Sequence, residues 1–148
     1  MIEIKNVSKK FGKLEVLKNV SVSCKSGQCI ALIGPNGCGK TTLIKSILGM
    51  VLPDEGSMEF NQKSIFGDYL YREKIGYMPQ IGRYPDTMTI GEIIEMVKKI
   101  RNSKDNLDED LFRDFEIEKM LNKQMRTLSG GTTQKISAVL AFLFNPDV

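Results

Sequence analysis

Apolar residues alternate at the start of the chain, with Ile2 and Ile4 two positions apart, and Leu14, Val16, Leu17, Val20 and Val22 continue a mixed apolar–polar pattern. Such alternation suits half-buried strands, and the turn-forming stretch Ser8–Lys13 between them predicts two early strands. Lys25-Ser26-Gly27 reads as a hairpin turn. After it, Gln28-Cys29-Ile30-Ala31-Leu32-Ile33 is a short apolar run of the kind that forms a strand buried on both faces, ended by Gly34-Pro35. The period then changes: Leu43, Ile44, Ile47 and Leu48 fall on one face of a helix that Gly49 stops.

Pro53-Asp54-Glu55-Gly56 predicts a turn, Ser57–Phe60 a short strand, and Ile75-Gly76-Tyr77-Met78 another strand ending at Pro79. Thr89 followed three residues later by Glu92 is a capping box, and Ile90, Ile93, Ile94, Val97 and Ile100 then recur at helical spacing. Two short helices are expected at Asn106–Phe115 and Ile117–Leu121, with Leu111, Phe112 and Phe115 on the apolar face. A last helix is expected from Thr132 or Thr133 to Phe144, burying Ile136, Val139, Leu140 and Leu143 before Asn145-Pro146 ends it. Strand, glycine-rich loop and helix, followed by a helical middle, make an α/β chain.

The chain has 148 residues, enough for one domain with a real core. The 21 Lys+Arg against 18 Asp+Glu are interleaved, so a net charge of +3 describes a solvated mixed surface and gives no reason to expect a nucleic-acid partner. The absence of histidine excludes a histidine base, a histidine metal ligand and a histidine pH switch from these residues. Three cysteines, Cys24, Cys29 and Cys38, cannot all pair with one another and read as reduced thiols of a cytosolic protein. Met1-Ile2-Glu3-Ile4-Lys5 lacks the layout of a signal peptide, and no run approaches the ~18 apolar residues that span a bilayer. Any membrane in this system is crossed by a partner.

Gly34-Pro35-Asn36-Gly37-Cys38-Gly39-Lys40-Thr41-Thr42 satisfies the G-x-x-x-x-G-K-[ST] pattern, placed after a predicted strand and at the head of a predicted helix. A polyphosphate needs several backbone N–H donors converging on one point, which only a loop of little side-chain bulk provides, and the following helix N-terminus adds a positive dipole. Gly37 and Gly39 permit the approach, Lys40 brings charge to the β- and γ-phosphates, Thr41 offers its hydroxyl to Mg²⁺, and Thr42 reaches toward the α-phosphate. Cys38 reads as a small residue chosen for space. Thr127-Leu128-Ser129-Gly130-Gly131-Thr132-Thr133-Gln134 is a second small-residue loop before a helix; alone, it reads first as a simple turn and only second as an anion-facing cap, and it becomes informative when paired with the first loop.

Three stretches in order, Gly34–Thr42, the glutamine of Tyr77-Met78-Pro79-Gln80, and Leu128-Ser129-Gly130-Gly131, resemble the phosphate loop, Q-loop and signature motif of the ATP-binding domains of ABC transporters. The resemblance covers the whole chain. It implies a P-loop NTPase core with an antiparallel β subdomain and a helical subdomain: residues 1–80 as phosphate-loop core and β subdomain, 81–128 as mainly helical subdomain, and 129–148 as signature loop and helix. It implies ATP and Mg²⁺ as ligands, held by Gly34, Asn36, Gly37, Cys38, Gly39, Lys40, Thr41 and Thr42, with Phe11 stacking on the adenine. Read without the resemblance, Phe11 is a core phenylalanine and Gln80 an ordinary strand-end glutamine. With it, Lys40 and Gln80 act catalytically in cis, Thr41 and Gln80 lie on the metal, and Gln80 begins the segment facing a membrane permease. Two such subunits pair head to tail, so Ser129, Gly130 and Gly131 of one close in trans on ATP held by the other. The implied location is the cytoplasmic face of the membrane, through the permease, and such domains do not touch the cargo.

The chain departs from the pattern twice. Thr132 stands where the family usually has glutamine, which leaves the serine and glycines intact and alters fine geometry only. After Asn145-Pro146-Asp147-Val148 the family carries an apolar strand ending in an aspartate and a glutamate, so the chain reads as a domain truncated before the acidic strand, able to bind nucleotide weakly but not to turn it over usefully. A soluble ABC-type ATPase acting on ribosomes or DNA would share both loops. A small-molecule kinase would share only the first. The segment Ile75–Pro85 further resembles ATPase subunits of copper-handling systems for nitrous-oxide reductase maturation, alongside multidrug and other exporters.

Overall fold

In the computed structural model, which describes residues 1–102 and 107–148, the early alternation closes into a four-stranded antiparallel sheet. Its strands are β1 (Ile2–Phe11), β2 (Leu14–Cys24), β3 (Glu55–Phe60) and β4 (Lys63–Ser64), in the order β2-β1-β3-β4. Register follows the pattern: Ile4 lies opposite Val22 on one side and Met58 on the other, and Ile2, Ile4, Val7, Met58 and Phe60 are buried. The chain divides by contacts into two compact units, Met1–Tyr71 and Arg72–Val148.

In the first unit, α1 (Lys40–Ile47) packs against β2 and buries Leu43 and Ser46, with Leu48 buried just beyond its end. Ser46 satisfies its buried hydroxyl by donating to Thr42 O at 2.9 Å, and the Tyr71 hydroxyl donates to Ile47 O at 2.9 Å. Two expectations fail here. Ile44 is exposed, because the buried face of α1 runs through the small Ser46 instead. The run Gln28–Ile33 forms no strand and is not buried; Ile33 is 89% exposed, and no strand among the described residues pairs with it. A strand exists only with a partner, and the β2-β1-β3-β4 sheet is built without this run.

The second unit is helical: α2 (Ile90–Arg101), α3 (Asp110–Asp114) and α4 (Gly130–Phe142), with 3₁₀ turns at Ile117–Met120 and Met125–Thr127. Ile90, Ile93, Ile94, Ile117, Met125, Ile136, Val139 and Leu143 form its core. The Thr89–Glu92 capping box is complete: Glu92 N donates to Thr89 Oγ1 at 3.2 Å and Thr89 N to Glu92 Oε2 at 2.7 Å. Those bonds to Glu92, led by the Thr89 amide, hold its carboxyl below the usual range. Ile100, expected on the apolar face, is 74% exposed at the last turn of α2, and Leu140 is only half-buried. The short helix expected from Asn106 begins at Asp110, and Asn106 itself lies outside the described residues.

Ile75–Met78 is likewise not a strand, but its first residue is paired. Val148 N donates to Lys74 O at 3.2 Å and Gly76 N donates to Val148 O at 2.7 Å, the bond pattern of a parallel ladder centred on Ile75. Gly76 is needed there for space: a Cβ would sit 2.2 Å from Ala141 O.

Candidate phosphate-binding site

The loop Gly34–Thr42 turns sharply into α1. Gly37 and Gly39 have φ of 83° and 95°, a region that a side chain disfavours. Gly39 has a second reason to lack one, since a Cβ there would lie 2.7 Å from Val16 O and 3.0 Å from Leu17 Cδ2. A Cβ on Gly37 would meet nothing within 4 Å, so its side faces open space. The N-terminus of α1 has no side-chain cap and no acidic residue in its first turn, which leaves its dipole unopposed.

Lys40 folds back over the loop. Its ammonium donates to Gly34 O and Pro35 O, both at 2.7 Å, and lies 3.7 Å from Cys38 Sγ. Of its three donors, two hold strong carbonyl acceptors and the third faces a weak sulfur acceptor. Thr41, Asn36 and Cys38 are exposed, and Thr42 is half-buried. Phe11, at the end of β1, is 50% exposed, with the Lys9 ammonium 5.5 Å from its ring centroid. It is therefore no core phenylalanine. Asp54, just before β3, accepts from Lys9 Nζ and from Lys10 N of β1, both at 2.7 Å, and these bonds, Lys9 first, hold its carboxyl below the usual range.

The remaining predicted residues belong to the second unit. Gln80 is exposed in the irregular segment following Met78. Ser129 is the N-cap of α4, and the helix begins at Gly130, two residues earlier than the apolar spacing suggests, because a capping serine admits the two glycines as its first helical positions. Ser129 Oγ accepts from Thr132 N at 3.2 Å and lies 2.9 Å from Thr132 Oγ1. Gly130 and Gly131 are exposed, a Cβ on either would meet nothing within 4 Å, and the first turn of α4 carries no acid. Two features escaped the sequence reading: the Thr132 hydroxyl on Ser129, for which a threonine three residues after a cap was the available signal, and the Tyr84 hydroxyl 2.8 Å from Ser137 Oγ, for which there was none.

Both loops thus combine a helix N-terminus, low bulk and absent acids, a donor set suited to phosphate. Thr41 supplies a hard oxygen of the kind Mg²⁺ accepts, and among the described residues no group of three acidic or cysteine side chains could hold a metal by itself. No helix among the described residues is long and apolar enough to cross a membrane.

Comparison with known proteins gives one consistent answer. The family model described as ABC transporter matches residues 17–148. The sulfate/thiosulfate import ATP-binding protein CysA of Pseudomonas syringae pv. tomato is 30% identical, over 99% of this chain and 48% of the relative. The zinc import ATP-binding protein ZnuC of Rickettsia conorii is 35% identical, over 100% of this chain and 60% of the relative. A solved ATP-binding subunit of an ABC transporter superposes with a TM-score of 0.86 at 30% identity, over 98% of this chain and 62% of that one. A dimeric bacterial ABC transporter cassette gives 0.82 at 26% identity, over 99% and 71%. The chain therefore spans about half to three fifths of the curated relatives it matches. These relatives lend no support to the resemblance to copper-handling systems.

Proposed function

The chain belongs to the ABC transporter family of ATP-binding cassettes, and from that premise we propose that it is the nucleotide-binding part of an ATPase that powers a membrane transporter. The observation that carries this reading is the loop Gly34–Thr42, with its positive-φ glycines, its uncapped helix and its folded-back lysine. The loop amides and the dipole of α1 bind the phosphates, and Lys40 turns its third donor from the Cys38 sulfur to a phosphate oxygen. Phe11 offers an exposed ring to the adenine base. Mg²⁺, when bound, would neutralise phosphate charge, and Thr41 would hold it. Ser129, Gly130 and Gly131 serve a nucleotide held by a second copy, so two copies enclose two nucleotides. A permease is the further partner, placing the protein at the cytoplasmic face of a membrane.

The test is calorimetric titration of ATP, with and without Mg²⁺, into the chain and its Lys40→Ala variant. Binding by the parent that is lost or weakened at least tenfold in the variant is expected, since a charge-assisted contact contributes about 1.5–3 kcal/mol. Equal binding by both proteins would refute the assigned site.

A further inference from the structure

The Ser129 hydroxyl has one proton to give and two lone pairs with which to accept. The Thr132 amide, at 3.2 Å, takes one lone pair. The Thr132 hydroxyl, at 2.9 Å, is placed to take the other. When the Thr132 hydroxyl is the donor of that pair, both lone pairs of Ser129 are engaged by one residue and its proton is left for an acceptor outside the pair, beside Gly130 and Gly131, where a Cβ would meet nothing within 4 Å. An anion can only accept. Its arrival on Ser129 therefore sets the direction of the pair, with Thr132 donating to Ser129 and Ser129 donating outward, and each bond polarises the next.

We propose that Thr132 is a positioning residue for Ser129: its hydroxyl holds the serine as a donor to the terminal phosphate of a nucleotide bound by a second copy of the chain. The inference rests on the two-copy reading above. It gives a function to the residue at which this chain departs from the family pattern. Thr132 touches no ligand itself; it acts by fixing which way one proton points. Thr133 is bonded elsewhere, to Ser129 O through both its amide at 3.0 Å and its hydroxyl at 3.2 Å, and so supports the backbone of the turn and not the serine hydroxyl.

The experiment compares the full chain with Thr132→Val, which keeps the shape and the backbone bond to Ser129, and with Thr132→Ser, which keeps the hydroxyl. Self-association is measured by sedimentation velocity in Mg·ATP and in Mg·ADP, binding of Mg·ADP by calorimetry, and melting temperature without nucleotide. The parent and Thr132→Ser are expected to dimerise alike in Mg·ATP, while Thr132→Val requires about tenfold more protein or beyond, because two equivalent serine contacts are weakened per dimer. Mg·ADP binding and melting temperature are expected to stay equal across the three. Dimerisation of Thr132→Val at the parent's concentration overturns the role of Thr132 while leaving the two-copy reading intact. A fall in melting temperature and ADP binding that matches the loss of dimer also overturns it, by making Thr132 a structural support. A parent that stays monomeric in Mg·ATP removes the two-copy reading, and the role of Thr132 with it.

Discussion

Adding a single methyl group at Gly39 and at Gly37 separates two demands that the phosphate loop makes on its glycines. Both have positive φ, 95° and 83°, so Gly39→Ala and Gly37→Ala share a backbone strain of about 1–2 kcal/mol. Only at Gly39 does the new Cβ meet protein, 2.7 Å from Val16 O and 3.0 Å from Leu17 Cδ2. The first contact is with backbone of β2, which cannot swing aside, and overpacking of this kind adds about 1–3 kcal/mol. Gly39→Ala should therefore cost about 2–5 kcal/mol, a large share of a domain stability of about 5–15 kcal/mol. With a urea dependence of about 2 kcal/mol/M, the midpoint should fall about 1 M further for Gly39→Ala than for Gly37→Ala. Urea unfolding followed by far-ultraviolet circular dichroism reads both midpoints. A Gly37 variant as unstable as the Gly39 variant, or a Gly39 variant as stable as the parent, would refute the packing argument.

Alkylating Cys38, exposed and 3.7 Å from the Lys40 ammonium, should fill the loop and abolish ATP binding measured by calorimetry, with the Cys38→Ala variant resistant; block of both proteins alike would place the effect at Cys24 or Cys29. Thr89→Ala removes the N-cap of α2 and should cost about 1 kcal/mol in urea unfolding, whereas Thr89→Ser should cost less than half of that. The carboxyls of Glu92 and Asp54 are held below their ordinary values of 4.5 and 3.8, chiefly by the Thr89 amide and by Lys9 respectively. Because the folded values are depressed, their stabilisation is complete above the ordinary values and is lost as pH falls through the lower folded ones. Stability followed from neutral pH into this acid window should fall less steeply in Glu92→Gln and Asp54→Asn than in the parent; unchanged slopes would count against those bonds.

What the sequence revealed was what is settled locally. The capping box at Thr89 and Glu92 is a contract between residues three apart, and it formed as written. The phosphate loop was legible for the same reason, since Gly37, Gly39 and Lys40 meet their demands within nine residues. Ile100 and Ile44 misled because a helix face has edges, and spacing does not reveal where neighbouring elements stop covering it. Gln28–Ile33 misled more deeply: its composition is that of a buried strand, yet burial depends on partners that no local pattern names. The parallel rung between Ile75 and Val148 was hidden likewise, joining residues 73 positions apart in numbering. The contact of Thr132 with Ser129 had only the signal of a threonine three residues after a cap, and the meeting of the two hydroxyls is a matter of side-chain geometry.

The uncovered run at Gln28–Ile33 makes the solution behaviour of this chain a question of colloid chemistry. Six residues without a charge or a proline, with Ile30, Leu32 and Ile33 facing solvent, form an adhesive strip beside a well-folded sheet. Adhesion between such strips rises with the square of protein concentration at the encounter step, while folding of each molecule does not depend on concentration at all. Cloudiness on concentrating the chain would therefore report this strip and not a failure of the fold. A lysine placed within it acts as a gatekeeper, so Leu32→Lys should raise the concentration the chain tolerates while leaving the β2-β1-β3-β4 sheet as it is.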